Sequence, residues 1–174
     1  MITIRKAAFG EEQHVLDFYD TLIDDMKNAT YPIRWEKGVY PVLSDMVHAI
    51  KTETLYVAEL DQSIVGAFIV NHMQGDGYPI VHWNKTGDAS KIAVIHLLAT
   101  SPKYQGQGIG RKMLEKAAAI CRAENDISIR LDTLPWNVPG KKLYEGFGFK
   151  YMGDVPLDYP STGTIKFSMY EYDL

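Results

Sequence analysis

LATSPKYQGQGIGR, residues 98–111, lies between two segments whose apolar residues follow different patterns. Before it, residues 91–100 are almost continuously apolar, as expected of a central strand covered on both faces. After it, residues 109–124 carry apolar side chains at helical spacing, with charged residues on the opposite side. The stretch is therefore predicted to be a glycine-rich turn that leads from a buried strand into the first turn of a helix.

The turn contains three closely spaced glycines, Gly106, Gly108 and Gly110. Glycine lets the backbone approach a ligand because it has no Cβ. The unpaired N–H groups of a first helical turn and the positive end of the helix dipole favour anions, and Arg111 adds a formal charge there. The turn is predicted to bind a phosphate or pyrophosphate; the alternative is a tight connection whose glycines serve packing alone.

Spacing decides between the known kinds of phosphate-binding turn. A dinucleotide fingerprint requires glycine at its sixth position, and counting from Gly106 that position is Arg111. A Walker A loop requires Gly-Lys-Ser or Gly-Lys-Thr at its end, and the turn contains neither. The arrangement that remains, Gln105-x-x-Gly108-x-Gly110, resembles the Gln/Arg-x-x-Gly-x-Gly/Ala signature of the GNAT superfamily of N-acetyltransferases, in which this turn binds the pyrophosphate of acetyl-CoA.

A second segment strengthens the resemblance. Downstream, Asn137 is followed by Leu143-Tyr144-Glu145 and then by Gly148-Phe149, which is similar to the second signature of the family. The order of the other predicted elements is also similar over essentially the whole chain. Two positions depart from the family's pattern: Gly140 stands where alanine is frequent, and Thr100 where valine is common.

The resemblance implies an α/β (α+β) fold: a central mixed, mostly antiparallel sheet flanked by about four helices, in a single domain over residues 1–174. Hydrophobic periodicity along the chain agrees with this order. Strands are predicted over residues 2–7, 55–60, 64–70, 91–100, 127–132 and 165–170, and helices over residues 11–27, from Pro41 to Ile50, over residues 109–124 and from Asn137 to about Glu145. Residues 71–90 are predicted to form a long loop.

By the same resemblance, acetyl-CoA is expected to bind along the end of the central strand and the turn. The residues implied are Leu98, Thr100, Gln105, Gly106, Gln107, Gly108, Ile109, Gly110, Arg111, Asn137 and Tyr144. The N–H of Leu98 is expected to polarise the thioester carbonyl, and the phenol of Tyr144 to protonate the departing thiolate. The alternatives are that Leu98 is only a core strand residue, that Tyr144 is an ordinary half-buried tyrosine, and that Asn137 only caps its helix.

The attacking amine must be neutral, and His96 is the first candidate for its general base because an unperturbed histidine pKa suits the task best. A hydrogen-bonded core histidine is the alternative, and Asp132 and Glu36 are weaker candidates for the base. Trp35 and Tyr40 stand in a segment that often forms one wall of the acceptor site in GNAT proteins. They are predicted to contact the acceptor, with attachment of the loop to the core as the alternative.

The composition of the chain limits the other classes of function. Its 174 residues, 46% hydrophobic and 23% charged, fit one globular domain. The only cysteine, Cys121, excludes an internal disulfide, and the five histidines show no zinc-ligand spacing, so no metal is expected. A formal charge of −4 disfavours nucleic acid as a partner. No apolar run approaches the ~20 residues of a membrane span, so we expect a cytoplasmic protein without a membrane partner.

Together these features predict an acyltransferase that moves acetyl from acetyl-CoA to a primary amine of a small molecule, by direct attack in a ternary complex. Two alternatives remain open: an acetyl-CoA-binding regulatory or interaction module without turnover, and an acetyltransferase that acts on a protein N-terminus or lysine. The identity of the acceptor, the use of other acyl groups and the formation of a homodimer also remain open.

Overall fold

A seven-stranded sheet runs through the computed structural model, which describes residues 1–174. The strands are β1 (Thr3–Lys6), β2 (Leu55–Leu60), β3 (Ser63–Asn71), β4 (Ile92–Thr100), β5 (Ser128–Thr133), β6 (Lys150–Tyr159) and β7 (Gly163–Asp173). They lie in the order β1-β2-β3-β4-β5-β7-β6, and every neighbouring pair is antiparallel except β4 and β5. The mixed, mostly antiparallel sheet that the sequence predicts is confirmed.

Four α-helices cover the sheet: α1 (Glu12–Met26), α2 (Leu43–Lys51), α3 (Ile109–Ala123) and α4 (Val138–Phe147). Buried side chains of α1 and α2 belong to one hydrophobic cluster, and those of α3 and α4 belong to another. The sheet lies between them, because Phe68 and Val70 of β3 belong to the α3 cluster whereas Ala67 and Ile69 belong to the α1 cluster. None of the helices is both long and apolar enough to cross a bilayer.

Helix α2 begins at Leu43, later than the sequence predicts. Val42 is extended, with φ −125° and ψ 167°, and its N–H donates to the side chain of Asp45 at 2.8 Å. This hydrogen bond belongs to a capping arrangement that starts the helix after Val42. The prediction that Pro41 opens the helix is therefore wrong.

The loop over residues 71–90 covers part of the sheet, and we call it the covering loop. Tyr78 and Val81 of this loop are buried with Val94 of β4 and with apolar side chains of β6 and β7. The covering loop lies on the side of β5 that carries Arg130, Asp132 and their polar partners. The side chains of Arg130 and Asp132 on β5 are therefore hydrogen-bonded to the covering loop.

β4 and β5 are paired only at their beginnings, where Ile92–Val94 lies beside Ser128–Arg130. Beyond these residues, β4 pairs with β3 and β5 pairs with β7. The two parallel strands therefore separate toward their carboxyl ends, and a cleft opens between them in the middle of the sheet.

Candidate functional site

The cleft between β4 and β5 continues into a cavity of about 850 Å³. Its walls are the C-terminal end of α1, the ends of both strands, the glycine turn, the N-terminal parts of α3 and α4, the segment before α2 and the turn between β6 and β7. The predicted site residues that line it are Trp35, Tyr40, His96, Leu98, Thr100, Gln105, Gly106, Gly108, Ile109, Gly110, Arg111, Asn137 and Tyr144. Gln107 is the exception, because it is exposed and does not line the cavity.

The glycine turn presents its backbone to the cavity. Gly106 and Gly108 have φ angles of +82° and +74°, a left-handed conformation that glycine adopts without strain. A Cβ at either position would meet no atom within 4 Å, so the space in front of both glycines is open. No side chain caps the N-terminus of α3. Backbone N–H groups at such a helix end favour an anion, so the turn fits a phosphate group.

Gly110 has a different role from the two glycines before it. A Cβ at this position would lie 2.8 Å from Cδ2 of Leu143, so the glycine allows α3 and α4 to approach each other. Of the three glycines, Gly110 is the one at which a missing Cβ allows close packing.

A β-bulge lies in β4 where the cleft opens. The register between β3 and β4 shifts here, so that Leu97 and Leu98 together oppose Phe68. Leu97 has a φ of +52°, and its carbonyl oxygen accepts a hydrogen bond from the hydroxyl of Tyr19 at 2.7 Å. Leu98, the residue that follows, lines the cavity.

Asn137 caps α4. Its Oδ1 accepts a hydrogen bond from the N–H of Gly140 at 3.1 Å, and its Nδ2 donates to Oγ1 of Thr133 at 2.8 Å. A Cβ at Gly140 would collide with the Asn137 amide, so this departure from the family's alanine makes room for the cap. One amide hydrogen of Asn137 remains for a ligand, because Nδ2 carries two.

Tyr144 lines the cavity from α4. Its ring packs against those of Phe149 and Tyr170, with 6.0 Å and 5.8 Å between centroids. Burial raises the pKa of the Tyr144 phenol above its ordinary value of 10. The phenol is therefore better suited to donating a hydrogen bond to a thiolate than to transferring its proton completely.

His96 is held within the protein by a hydrogen bond. Its Nε2 lies 3.0 Å from Oδ1 of Asn71, and an amide oxygen only accepts, so Nε2 carries the hydrogen. Burial lowers the pKa of His96 to about 4, which makes the ring a weaker base than a free histidine. The hydrogen bond and the lowered pKa favour a structural role for His96 over a role as the general base.

Asp132 brings a carboxylate into the cavity. The Tyr78 hydroxyl donates to its Oδ2 at 2.9 Å, and the Tyr159 hydroxyl lies 3.1 Å from both oxygens. Burial raises the pKa of Asp132 above 3.8, and the two phenols partly oppose the rise because they bind the charged form. The sequence analysis placed this residue below His96 on unperturbed pKa values, and it could not show the two phenols, which come from distant segments.

A buried ion pair holds the covering loop in place. Nε of Arg130 lies 3.2 Å from Oε1 of Glu171, and their side chains are only 5% and 0% exposed. The other oxygen of Glu171 accepts hydrogen bonds from the N–H groups of Asn84 and Lys85. The guanidinium of Arg130 also lies 4.1 Å from the ring centre of Trp83. No spacing in the sequence pointed to this arrangement, because its members belong to separate segments.

The aromatic residues before α2 face the cavity and also pack on the protein. Trp35 lines the cavity and packs edge-on against Tyr19, with 5.6 Å between ring centroids. Tyr40 lines the cavity 5.8 Å from Tyr159, and burial raises the pKa of its phenol above 10. Glu36, the other candidate base in this segment, does not line the cavity.

A second cluster of polar side chains lies outside the cavity, near Cys121. The thiol is buried, and burial raises its pKa to about 12, so it is a poor nucleophile. His72, Glu124 and Asp126 each place a potential metal-ligating atom within 4.8 Å of the others. Nε2 of His72 lies 2.8 Å from Oδ1 of Asp126. This contact joins the residue after β3 to the segment before β5. Sequence spacing did not reveal this cluster, because His72 is far along the chain from Glu124 and Asp126.

Comparison with known proteins agrees with this geometry. The family model described as the Acetyltransferase (GNAT) family matches residues 21–149, which is most of the chain. The chain belongs to the GNAT acetyltransferase family. The enzyme class that the two sequence signatures predicted is therefore confirmed.

This acetyltransferase shares its fold with solved structures over nearly its whole length. A GNAT-family acetyltransferase from Streptococcus agalactiae has a TM-score of 0.77 at 20% identity, and the match covers 99% of this chain and 95% of that one. A Salmonella typhimurium protein solved with its cofactor acetyl-CoA has a TM-score of 0.72 at 14% identity, covering 99% and 94%. At these identities the likeness shows the fold alone.

A relative of this acetyltransferase with an assigned activity matches over a shorter region. The thialysine N-epsilon-acetyltransferase of Bos taurus is 28% identical over 72 residues, which is 41% of this chain. The match spans 42% of the length of the bovine protein, so it leaves the acceptor of this acetyltransferase unassigned.

Proposed function

We propose that this acetyltransferase moves the acetyl group of acetyl-CoA to the primary amine of a small molecule, by direct attack in a ternary complex. The observation that carries the proposal is the continuity of the cavity, whose lining includes Gly108, Leu98 and Asp132. A volume of about 850 Å³ has room for the thioester end of one ligand and a small acceptor at the same time. Direct transfer requires both substrates side by side, which one continuous cavity supports.

The residues around the cleft fit acetyl-CoA. Gly106 and Gly108 leave open space where a pyrophosphate would approach, and Arg111 adds a positive charge. Beyond Val94, the edge of β4 that faces the cleft has no strand partner, so its backbone groups remain for the amides of pantetheine. The Salmonella typhimurium neighbour, which was solved with acetyl-CoA, supports this choice of ligand.

Acetyl-CoA supplies the activated acetyl group, and three groups of the chain are assigned to its transfer. The N–H of Leu98 stabilises negative charge on the thioester oxygen as the new C–N bond forms. The phenol of Tyr144 donates a hydrogen bond to the sulfur as the C–S bond breaks. Asp132 takes a proton from the incoming ammonium, which leaves an electron pair on nitrogen for attack. Once the C–N bond has formed, nitrogen loses a second proton, which neutralises the departing thiolate and gives the free thiol of CoA.

Asp132 replaces His96 as the proposed proton acceptor for a physical reason. The carboxylate lines the cavity and burial raises its pKa, which makes it a stronger base than a free aspartate. The same burial lowers the pKa of His96, and its Nε2 is already bonded to Asn71. Asp132 is also buried beside Tyr159. A slender amine therefore reaches Asp132 more readily than an amine on the surface of a folded protein does.

A thiol-release assay with acetyl-CoA and a panel of primary amines tests the proposal. We expect free CoA and acetylated amine in equal amounts, with the intersecting initial-rate lines of a ternary complex rather than the parallel lines of a ping-pong reaction. Acetyl-CoA should also raise the melting temperature, because a ligand that binds only the native state stabilises it. A higher melting temperature without amine-dependent release would identify a regulatory module, and release with peptides alone would identify a protein acetyltransferase.

A further inference from the structure

We infer that His72, Glu124 and Asp126 form a binding site for a divalent transition-metal ion, and that Zn²⁺ is the ion that fits them. These three side chains are the polar cluster outside the cavity, and each places a potential ligand atom within 4.8 Å of the other two. The inference is independent of the proposed function, because none of the three residues lines the cavity. It departs from the sequence expectation of no metal, which considered spacing along the chain alone.

The buried carboxylate of Asp126 is the feature that points to a ligand. Its side chain is only 1% exposed, and its Oδ1 lies 2.8 Å from Nε2 of His72. Its Oδ2 is buried and has no hydrogen-bond partner. The Cys121 thiol lies beside the same carboxylate, but an S–H group is a weak donor. A buried carboxylate oxygen that has lost the hydrogen bonds of water is unfavourable, so Oδ2 is a vacant acceptor beside the imidazole.

The negative charge of the cluster is not balanced by a lysine or an arginine. Glu124 forms no ion pair through its carboxylate, and the only ion-pair partner of Asp126 is the histidine. Lys91 lies close by, but it donates to the backbone oxygen of Glu124 at 2.9 Å. Lys6 is paired with Glu53. A divalent cation would neutralise both carboxylates of the cluster at once.

The types of ligand atom select the kind of ion. Imidazole nitrogen suits Zn²⁺ and similar transition metals, whereas Mg²⁺ and Ca²⁺ take oxygen ligands. Nδ1 of His72 has no partner in the protein, so it can carry the ring hydrogen while Nε2 binds the ion. One imidazole and two carboxylates provide three protein ligands, and water completes the tetrahedral coordination that Zn²⁺ prefers.

The distances in the cluster suit the same ion. Bonds from Zn²⁺ to nitrogen and oxygen are about 2.0–2.2 Å long, so two ligand atoms of one ion lie about 3 Å apart. Nε2 of His72 and Oδ1 of Asp126 already have nearly this separation. Glu124 is exposed at the C-terminal end of α3, so rotation of its side chain is free to close the remaining distance.

The site lies at the end of the sheet away from the cleft. His72 follows β3, whose last residues lie beside the start of β4. Glu124 ends α3, and Asp126 precedes β5, with its N–H donating to the carbonyl oxygen of Cys121 at 3.0 Å. The cleft opens at the opposite ends of β4 and β5. The ion therefore has a structural role, in which it fastens the start of the covering loop to α3 and to the segment before β5.

Calorimetric titration with ZnCl₂ tests the inference on protein without a histidine tag. We expect one Zn²⁺ per chain, with a dissociation constant in the micromolar range or below. Zn²⁺ should also raise the melting temperature, because an ion that binds only the folded site stabilises it. MgCl₂ in place of ZnCl₂ should bind at least tenfold more weakly. His72→Gln and Glu124→Gln should each weaken Zn²⁺ binding at least tenfold, and both residues are accessible enough to be changed without disturbing the core.

His14→Gln is the matched control, because His14 is an exposed histidine of α1 that belongs to no group of three metal-ligating side chains. It should keep the wild-type affinity for Zn²⁺. Asp126→Asn removes the buried ligand and should abolish binding; if it fails to fold, the two accessible variants still decide. The inference is overturned if the wild-type protein binds no Zn²⁺ at micromolar concentrations, if folded His72→Gln and Glu124→Gln bind it as tightly, or if Mg²⁺ binds equally well. An equal loss of affinity in His14→Gln overturns it too.

Discussion

At the scale of single residues, burial has opposite effects on the basicity of the two candidate proton acceptors in the cavity. His96 and Asp132 both line the cavity, and burial shifts the pKa of each toward the neutral form. The pKa of His96 falls to about 4, whereas that of Asp132 rises. The same physical effect therefore weakens the histidine as a base and strengthens the aspartate.

Tyr78→Phe should shift the pH dependence of acetyl transfer. The Tyr78 phenol donates to Asp132 at 2.9 Å and holds the carboxyl pKa below the value that burial alone would set. Without this hydrogen bond the pKa of Asp132 rises further, so the carboxylate becomes protonated at a higher pH. On acidification, kcat/KM for a competent amine should therefore begin to fall at a higher pH than in the wild-type enzyme.

The pH profile of kcat/KM measures this shift. The other groups around Asp132, which the variant keeps, are Tyr40, Arg130, Tyr144 and Tyr159. Tyr78 does not line the cavity, so a purely structural role would lower the rate without moving the profile. If kcat/KM of the variant falls at the same acidic pH as that of the wild-type enzyme, Tyr78 does not act on the pKa of Asp132.

Tyr144→Phe should lower kcat and leave the affinity for acetyl-CoA nearly unchanged. The substitution keeps the ring between Phe149 and Tyr170 and removes the hydroxyl alone. A hydrogen bond to a charged acceptor contributes about 1.5–3 kcal/mol, so we expect kcat to fall about 10- to 100-fold. Steady-state kinetics with a competent amine measure the change, and wild-type turnover in this variant would show that the thiolate leaves without help from Tyr144.

At the scale of elements, two irregularities shape the cleft between β4 and β5. The bulge at Leu97 changes the course of β4, and the Tyr19 hydroxyl holds its carbonyl oxygen. The glycine turn then reverses the chain into α3 with Gly106 and Gly108 in left-handed conformations. Leu98, Gly106 and Gly108, which follow from these two irregularities, all line the cavity.

Gly108→Asn should weaken CoA binding at least tenfold. Asparagine tolerates the left-handed conformation at φ +74°, and its side chain would enter the open space where a phosphate approaches. A valine there would strain the backbone and confuse a binding defect with a folding defect. Gly38→Asn is the control, because Gly38 has the same φ and an equally open environment but does not line the cavity.

Calorimetry measures the affinity of each variant for CoA. Thermal melting without ligand measures the stability that each variant loses by placing asparagine at a positive φ angle. If Gly108→Asn binds CoA as tightly as the wild-type protein and melts at the same temperature as Gly38→Asn, the glycine turn does not bind the phosphate groups of CoA.

At the scale of the whole molecule, the end of the cavity proposed to bind the acceptor is assembled by packing between distant segments. Tyr78 comes from the covering loop, Asp132 from β5 and Tyr159 from the end of β6. The buried pair of Arg130 and Glu171 fastens the covering loop to the sheet beneath it. The position of Tyr78 on Asp132 therefore depends on an ion pair that does not itself contact the acceptor site.

Glu171→Gln should destabilise the protein and loosen the acceptor end of the cavity. Loss of one partner leaves Arg130 buried without a counter-charge, which is expected to lower the free energy of unfolding by about 3 kcal/mol. Glu53→Gln, which breaks an exposed pair with Lys6, should leave the free energy of unfolding nearly unchanged. Urea unfolding measures both variants, and similar small losses would mean that the buried pair contributes no more than a surface one.

The two GNAT signatures and the periodicity around them were sufficient to predict the sheet, its helices and the enzyme class. These features are local: a glycine turn, an apolar strand and an amphipathic helix each depend on residues that are close along the chain. The start of α2 was predicted wrongly, because the Asp45 side chain bonds to the N–H of Val42, so that Val42 caps the helix and Pro41 lies outside it.

The sequence by itself thus determined the fold and the family, because spacing and periodicity are properties of neighbouring residues. Tertiary structure decided the basicity of the two candidate proton acceptors. The pKa values of His96 and Asp132 depend on burial, and burial is set by segments that meet only in the folded chain. The absence of a cation beside Asp132 has the same origin, because Arg130 is drawn to Glu171 on another strand.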